Sequence, residues 1–356
     1  MRKNIIYALL LGVLMALAAL VNSPAVPAAE AEKELKLAEA LAQGLEANYG
    51  IKKAWLSWEN ARLNYERNKA ASMLAGSRYT QLQLELNLVQ AEDNYRRTKN
   101  QALLQIARKY LEVLQSEQEI AWRQRQLASE ARTLEQMEQQ VAQGYETRLA
   151  LMRQENDYHR TRLDLKKAED NYAQLRRELA KEIGWPPDGP VFRLRPVETA
   201  LTWEVSETEC QSRARENSLS RRAAALEVEL ARIALERAEL GLVPPVELQE
   251  LQNNLELALL RQEETDMELE NSVRQQYAAL KQLAEDLTLN RVHLAAVRAN
   301  FEKIQKQYDV GLLKEVDRLA AEAELLQAEY QMFSAVTNYQ LKKWEFQQLL
   351  GMDPEV

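Results

Sequence analysis

The chain of 356 residues is 46% hydrophobic and 28% charged, carries a net charge of −8, and has only 10 glycines and 9 prolines. An acidic chain without a basic stripe is a poor binder of nucleic acid, and a single cysteine, Cys210, excludes an intrachain disulfide and a cysteine-based zinc site. Ala, Glu, Gln, Leu and Arg dominate; all are strong helix formers, and that bias belongs to long helices or coiled coils.

Residues 1–29 read as an export signal. Arg2 and Lys3 supply the positive start, Ile5 to Val21 is apolar apart from Tyr7 and Gly12, and Val26-Pro-Ala28 and Pro27-Ala-Ala29 offer small-residue cleavage sites. The alternative is an uncleaved N-terminal anchor, since the run is only just short of a comfortable span. No cysteine follows it for lipidation, and no later segment is apolar enough to cross a bilayer as a helix.

A first helix is expected from about Leu35 to Leu74, with Leu41, Leu45, Ile51, Trp55, Trp58 and Leu63 at roughly helical spacing. After a brief break at Ala75-Gly-Ser-Arg-Tyr, a long helix is expected from about Gln81 to Ala142. Ile106, Tyr110, Val113, Ile120, Leu127, Ala131 and Leu134 trace a heptad seam along it, with lapses at Glu117 and Gln124. At 1.5 Å per residue it would reach about 90 Å, so it must lie against partners of similar length. Gly144 suits the C-cap position that needs positive φ, and Thr147 caps the next helix, which runs to about Ile183. So short a loop makes the two helices antiparallel.

Pro186, Pro187, Pro190 and Pro196 exclude a helix over the next stretch, where Phe192-Arg-Leu-Arg reads as a short extended piece. The plan then repeats: a helix from about Ser206 to Leu240, a break at Gly241-Leu-Val-Pro-Pro, a long helix from Leu251 to Val310, a turn at Gly311, and a last helix from Lys314 to Leu350. Residues 84–187 align with 251–354 without a gap: Tyr110 matches Tyr277, Gly144 matches Gly311, Glu155 matches Glu322, and Gly184 matches Gly351. A period this long is a duplicated supersecondary unit rather than a short solenoid repeat. The organisation expected is a signal at 1–29, a first helical repeat at 30–184, a Pro-rich linker at 185–205 and a second repeat at 206–356. The fold class is all-α: two long antiparallel helical hairpins of the coiled-coil or α-barrel type, with six main helices and no transmembrane β-barrel.

Chemistry-bearing motifs are absent from the sequence. There is no Gly-rich phosphate loop, nucleophile elbow or His-based metal motif. His159 and His293 read as ordinary helix residues, and no enzyme activity, cofactor or metal is expected. The exposed turns at the hairpin tips are where a partner could reach a rigid rod. The docking residues expected there are Gly144, Thr147 and Leu149 on one tip, and Gly311, Leu312, Leu313, Val316 and Asp317 on the other.

This ordered set of motifs resembles the TolC-like outer-membrane efflux protein family. The first half carries Asn48 with Ala54, Tyr110, Gly144 with Thr147 and Leu149, and Glu182-Ile-Gly184. The second carries Asn217 with Ala223, Tyr277, Gly311-Leu-Leu-Lys-Glu-Val-Asp317, and Leu349-Leu-Gly351. The resemblance implies a homotrimeric helical tunnel whose glycine-turn tips meet a periplasmic adaptor (membrane fusion) protein of a tripartite-type transporter. It also implies localisation outside the cytoplasmic membrane, in the periplasm or at the outer membrane. The chain departs from the family pattern in one respect. Strands of the family's β-barrel are inserted between the first and second helices of each half; here those places, Ala75–Thr80 and Gly241–Glu247, hold a few residues each, whereas a spanning strand needs about 9–11. Membrane association is then indirect or through an uncleaved N-terminal segment. The competing expectation is a coiled-coil spacer or tether of the cell envelope without transport. A tunnel needs a polar inner stripe as well as apolar stripes toward neighbours, and a simple bundle needs one apolar stripe per helix.

Overall fold

The computed structural model describes residues 33–74, 77–186, 192–197, 202–241 and 243–352, the side chains of 33 and 70–74 excepted. The export signal read at 1–29 lies outside them, as do Pro187 and Pro190. In chain order the elements are β1 (Lys33–Leu35), α1 (Leu37–Ala47), α2 (Tyr49–Leu74), α3 (Arg78–Ala142), α4 (Arg148–Glu182), β2 (Phe192–Leu194), α5 (Glu207–Asn217), α6 (Leu219–Leu240), α7 (Pro245–Asp309) and α8 (Glu315–Leu349).

The repeat is borne out to the residue. An offset of 167 carries α3 onto α7 and α4 onto α8, end for end. Gly144, Gly184, Gly311 and Gly351 all adopt left-handed backbone, with φ of 79°, 78°, 77° and 73°. Each closes a Schellman turn: at the first, the Gly144 N–H reaches the Val141 carbonyl (3.0 Å) and the Tyr145 N–H the Gln140 carbonyl (2.9 Å). The long helices start further upstream than the heptad pattern suggests. Ser77 caps α3 by accepting from the Thr80 N–H, and Pro245 opens α7 at the first-turn position where its missing N–H costs nothing.

Among the described residues the six main helices expected become eight, because a corner breaks each leading helix. Asn48 turns the chain at φ −73°, ψ 110°, and Ser218 does the same at φ −75°, ψ 110°. Both then cap the helix that follows: the Asn48 side-chain oxygen accepts from the Ile51 N–H (3.1 Å) and the Ser218 hydroxyl from the Arg221 N–H (3.3 Å). The residue equivalent to Asn48 is therefore Ser218 and not Asn217, and Ala54 corresponds to Ala224, both buried. Asn217 has another task, donating from its amide to the Leu350 carbonyl at 2.9 Å. Gly184 and Gly351 dock on these corners so closely that a Cβ on either would lie 2.5 Å from the Cβ of Ala47 or Asn217.

These helices form a layer rather than a bundle. Toward the Gly144 and Gly311 turns the order is α4, α3, α8, α7; toward the other end it is α2, α3, α6, α7. The long helices run the whole way, about 98 Å at 1.5 Å per residue, while α2 and α4 share one line, about 39 and 52 Å. The accessible surface of 23137 Å² compares with about 15,000 Å² for a compact globule of this mass.

A local second layer thickens the middle. β1 pairs in parallel with β2, Leu35 opposite Leu194. β1 was not expected; β2 is the extended piece read at Phe192. Tyr110 of α3 fastens the pair. Its buried hydroxyl lies 2.8 Å from the Leu35 carbonyl and 2.7 Å from the Arg195 carbonyl, and accepts the Arg195 N–H at 3.0 Å. Leu37, Ala40 and Leu41 of α1, Ile106 and Leu111 of α3, Leu179 and Trp344 complete the core there. A second core joins Cys210 and Ala214 of α5 to Val273 and Leu280 of α7 and to Tyr339 and Phe346 of α8.

Candidate functional site

The expected docking residues gather at one end of the layer, on two tips of unequal reach. Arg132 of α3 pairs with Glu315 at 2.9 Å and Arg125 with Glu322 at 2.8 Å, so α8 begins level with Arg132, well before α3 ends. From these registers the α3–α4 tip overhangs the α7–α8 tip by roughly 10 Å. Gly144 and Gly311 face open space: a Cβ on either would meet nothing within 4 Å. Thr147 and Asp317 serve as caps. The Thr147 hydroxyl accepts from the Ala150 N–H at 3.2 Å, and the Asp317 carboxylate from the Lys314 N–H at 3.0 Å. Leu149 and Leu312 are exposed, whereas Leu313 and Val316 are half-buried against their own hairpin. Three exposed residues beside them escaped the sequence reading: Tyr145 at 78%, Val310 at 70% and Met152 at 58%. The available signal was an aromatic placed directly after a turn glycine, outside any heptad.

Arginines hold the two tips to each other. Arg132 also pairs with Glu135 on its own helix, and Arg318 bridges to Glu322 at 3.0 Å while its guanidinium lies over the Tyr308 ring. Glu322 thus receives Arg125 and Arg318 together. All of these groups are partly exposed, so each pair is worth about 0–1 kcal/mol.

The edges of the layer differ from its interior. Among the described residues, no exposed large apolar side chain lies on the interior helices α3 and α8. They lie on α2 (Tyr49, Trp55, Leu56, Leu63), on α4 (Leu149, Met152, Leu163) and on α7 (Val246, Leu257, Leu259, Leu260, Met267, Leu289, Val292), the rest being at the tips and at Leu240. These three helices are the ones with a neighbour missing.

Polar side chains line one side of α8. Gln331, Asn338 and Glu345 recur at seven-residue steps and so share a side of α8. A groove of about 290 Å³ opens there between α7 and α8, lined by Asp286, Asn290, Gln331, Ser334 and Asn338 among others. A second, of about 440 Å³, is lined by Arg96, Arg97, Asn100, Gln276, Glu345 and Gln348 among others. The arrangement offers a wettable surface and two rigid tips, and among the described residues no group of three or more His, Cys, Asp or Glu converges as a metal site.

The connections from α2 to α3 and from α6 to α7 span only residues 75–77 and 241–244, too short for a membrane-spanning strand of about 9–11 residues. Among the described residues no helix is long and apolar enough to cross a membrane.

No protein-family model matches the sequence, and no curated protein is significantly similar to it. Solved structures are similar along nearly the whole length. The outer-membrane protein VceC of Vibrio cholerae superposes with a TM-score of 0.62 at 14% identity, covering 90% of this chain and 97% of its own. The outer-membrane channel OprN gives 0.64 at 15% identity, covering 88% and 89%. The Campylobacter jejuni CmeC outer-membrane channel gives 0.61 at 11% identity, covering 90% and 87%. The resemblance to the TolC-like outer-membrane efflux proteins is therefore a resemblance of fold, and this chain has the helical fold of the outer-membrane channels.

Proposed function

We propose that the chain is the helical-tunnel or adaptor-docking component of an efflux or export system of the cell envelope. The observation that carries this reading is a layer one helix thick outside its middle, with polar residues along one side of α8 and apolar free edges. A bundle hides one apolar stripe per helix at its centre; here α3 and α8 are covered on two sides, and the edges keep apolar side chains that only further copies would cover. Copies closing edge to edge into a homotrimeric ring would enclose that polar side as a conduit. The fold shared with outer-membrane channels supports this, as does the export signal at 1–29, which would deliver the chain to the periplasm or the outer membrane. Attachment to a membrane would be indirect or through that N-terminal segment.

The tips are the docking site for the helical hairpin of a periplasmic adaptor, with Leu149 and Leu312 as exposed apolar contacts and Gly144 and Gly311 as the points where the backbone itself is uncovered. Replacing Leu312 by Glu should weaken adaptor binding about tenfold or more, as removal of a central apolar anchor does, with the helix content and melting of the rods unchanged. Unaltered binding of a cognate adaptor hairpin to L312E, measured by calorimetry, would remove the docking assignment. The spacer or tether reading makes a different prediction, a monomer in native mass measurement of residues 30–356 without detergent.

A further inference from the structure

The groove of about 440 Å³ lies where α3, α7 and α8 meet the corner at Ser218. Asp93, Arg96 and Arg97 reach it from α3, Gln276 from α7, and Glu345 and Gln348 from α8. Two hydrogen bonds fix its walls. The Asn217 amide donates to the Leu350 carbonyl at 2.9 Å, and the Gln348 amide to the Asn100 carbonyl at 3.3 Å. Five side-chain amides and two serines line the groove, and no described aromatic residue does, so its hydrogen-bonding groups are those that meet hydroxyls.

The charges that line the groove cancel except for one. Arg97 pairs with Asp93 at 2.7 Å and donates to the Ser220 hydroxyl at 2.8 Å. Glu345 receives Arg108 at 3.1 Å and Lys342 at 3.3 Å. Arg96 has no hydrogen bond or ion pair with any described residue. It is half-buried, and its Nη2 lies 3.3 Å from the place a Cβ on Gly351 would take. A guanidinium offers five donors in a planar fork that matches a carboxylate. The Gln276 side-chain oxygen is buried without a partner among the described residues, and such an acceptor calls for a donor. These groups belong to this corner alone. The offset of 167 turns Arg96 and Arg97 into Glu263 and Glu264, and Asn100 into Met267, so the corresponding stretch of α7 is acidic.

We propose that this groove is a binding site for small hydroxylated carboxylates, of the size and chemistry of a sugar acid, with Arg96 holding the carboxylate and the amides of Asn100 and Gln276 meeting the hydroxyls. The volume is that of a small-molecule site. Amide walls without an aromatic ring suit hydroxyls, which both donate and accept, better than an apolar solute. One uncompensated cation suits one negative charge, and the Asp93 and Glu345 carboxylates beside it oppose a second, which selects a carboxylate over a phosphate. The site is formed within a single chain and stands whether or not copies close into a ring. Glu345 sets it on the polar side of α8, so in a closed ring Arg96 would meet solutes inside the conduit. The C-terminal end of α8 also favours a cation at Arg96, a role that needs no ligand and that the experiment separates.

The experiment is saturation-transfer NMR on the full chain at fixed ionic strength, with sodium gluconate as the probe. Gluconate should bind saturably with a Kd of about 1 mM, the scale of a few hydrogen bonds in an open groove. Arg96→Gln should weaken binding about tenfold, as loss of a charge-assisted hydrogen bond does. Arg177→Gln, an equal change of net charge at an exposed position of α4, should leave it unchanged. Glucose, which has the hydroxyls without the carboxylate, and inorganic phosphate should not displace gluconate at equal concentration. If Arg96→Gln unfolds the chain, Gln276→Glu keeps the test: it leaves Arg96 in place, adds a negative charge to the groove and should abolish binding. No saturable binding of gluconate, equal binding by the Arg96→Gln and Arg177→Gln variants, or displacement by glucose would overturn the proposal. Displacement by phosphate would overturn the selection of a carboxylate. Lower stability of Arg96→Gln with gluconate binding intact would leave Arg96 as a cap on α8 and overturn the site.

Discussion

Tyr110 and Tyr277 hold the same place in the two repeats, 167 residues apart. Tyr110 is fully buried and its hydroxyl fastens β1 and β2 through Leu35 and Arg195. Tyr277 is half-buried, its ring edge-on to Phe346 at 6.3 Å. Around them the long helices and those that follow the tip turns start and stop at equivalent residues, and the four turn glycines agree in φ to within a few degrees. The comparison separates two layers of instruction. The corner caps and the turn glycines, kept in both repeats, make the rods. Side chains at equivalent positions, which have diverged, decide whether a rod faces the interior, an edge or the extra strands.

The largest effect expected tests the shared layer. Gly184→Ala and Gly351→Ala each put a Cβ 2.5 Å from a neighbouring Cβ, at backbone that already disfavours L side chains. Left-handed strain of about 1–2 kcal/mol adds to overpacking of about 1–3 kcal/mol, so each should lose roughly 2–5 kcal/mol in chemical denaturation. Gly144→Ala and Gly311→Ala carry only the strain. The comparison breaks if the two corner variants differ strongly from each other, or if the tip variants cost as much.

A smaller effect tests the divergent layer. Tyr110→Phe takes the hydroxyl from the Leu35 and Arg195 carbonyls, and although the Arg195 N–H keeps its bond to the Leu35 carbonyl at 3.1 Å, the loss of this buried partner costs about 1–3 kcal/mol. Tyr277→Phe should fall within about 0.5 kcal/mol of the unmodified chain. Burial pushes the Tyr110 hydroxyl up to about 12 from an ordinary 10.0. Its ionisation is therefore suppressed in the folded state. That contribution is fully present below pH 10 and is lost as pH rises through 12. Tyr110→Phe should flatten this alkaline loss. An alkaline profile unchanged by Tyr110→Phe would show that the strands are not held by Tyr110.

The same division explains what could be read from the sequence. The glycine turns, the antiparallel hairpins and the long helices were legible, because a cap is local and a heptad seam repeats. The corners were not. Asn48 and Ser218 turn the chain with ordinary negative φ, need no proline, and look like polar residues within a helix. Matching Asn48 to Asn217 by residue type slipped the register by one, since a serine does in the second repeat what an asparagine does in the first. β1 has three residues, too few to show alternation, and its partner β2 lies far along the chain. At the tips the sequence located Gly144 and Gly311 and read Thr147 as a cap, but it marked neither Asp317 as a cap nor Tyr145 as exposed. Thr147 and Asp317 are engaged by backbone, while Tyr145 stands free.

The smallest effect expected bears on how the tips are held. Glu315 of the second repeat accepts Arg132, and its counterpart in the first is Arg148, of opposite charge. Arg132 and Glu315 are both more than 40% exposed, so Glu315→Gln should cost little global stability, and Arg148→Gln about nothing. The location of the loss matters more than its size. The pair joins the two hairpins beside the Gly144 and Gly311 turns, and its loss should appear as faster amide exchange in residues 309–317 and not in the cores around Tyr110 or Phe346. At 1 M salt, where screening acts over about 3 Å, the unmodified chain should approach the exchange of Glu315→Gln. If neither salt nor Glu315→Gln changed exchange over residues 309–317, the ion pair would not be what holds the two tips together.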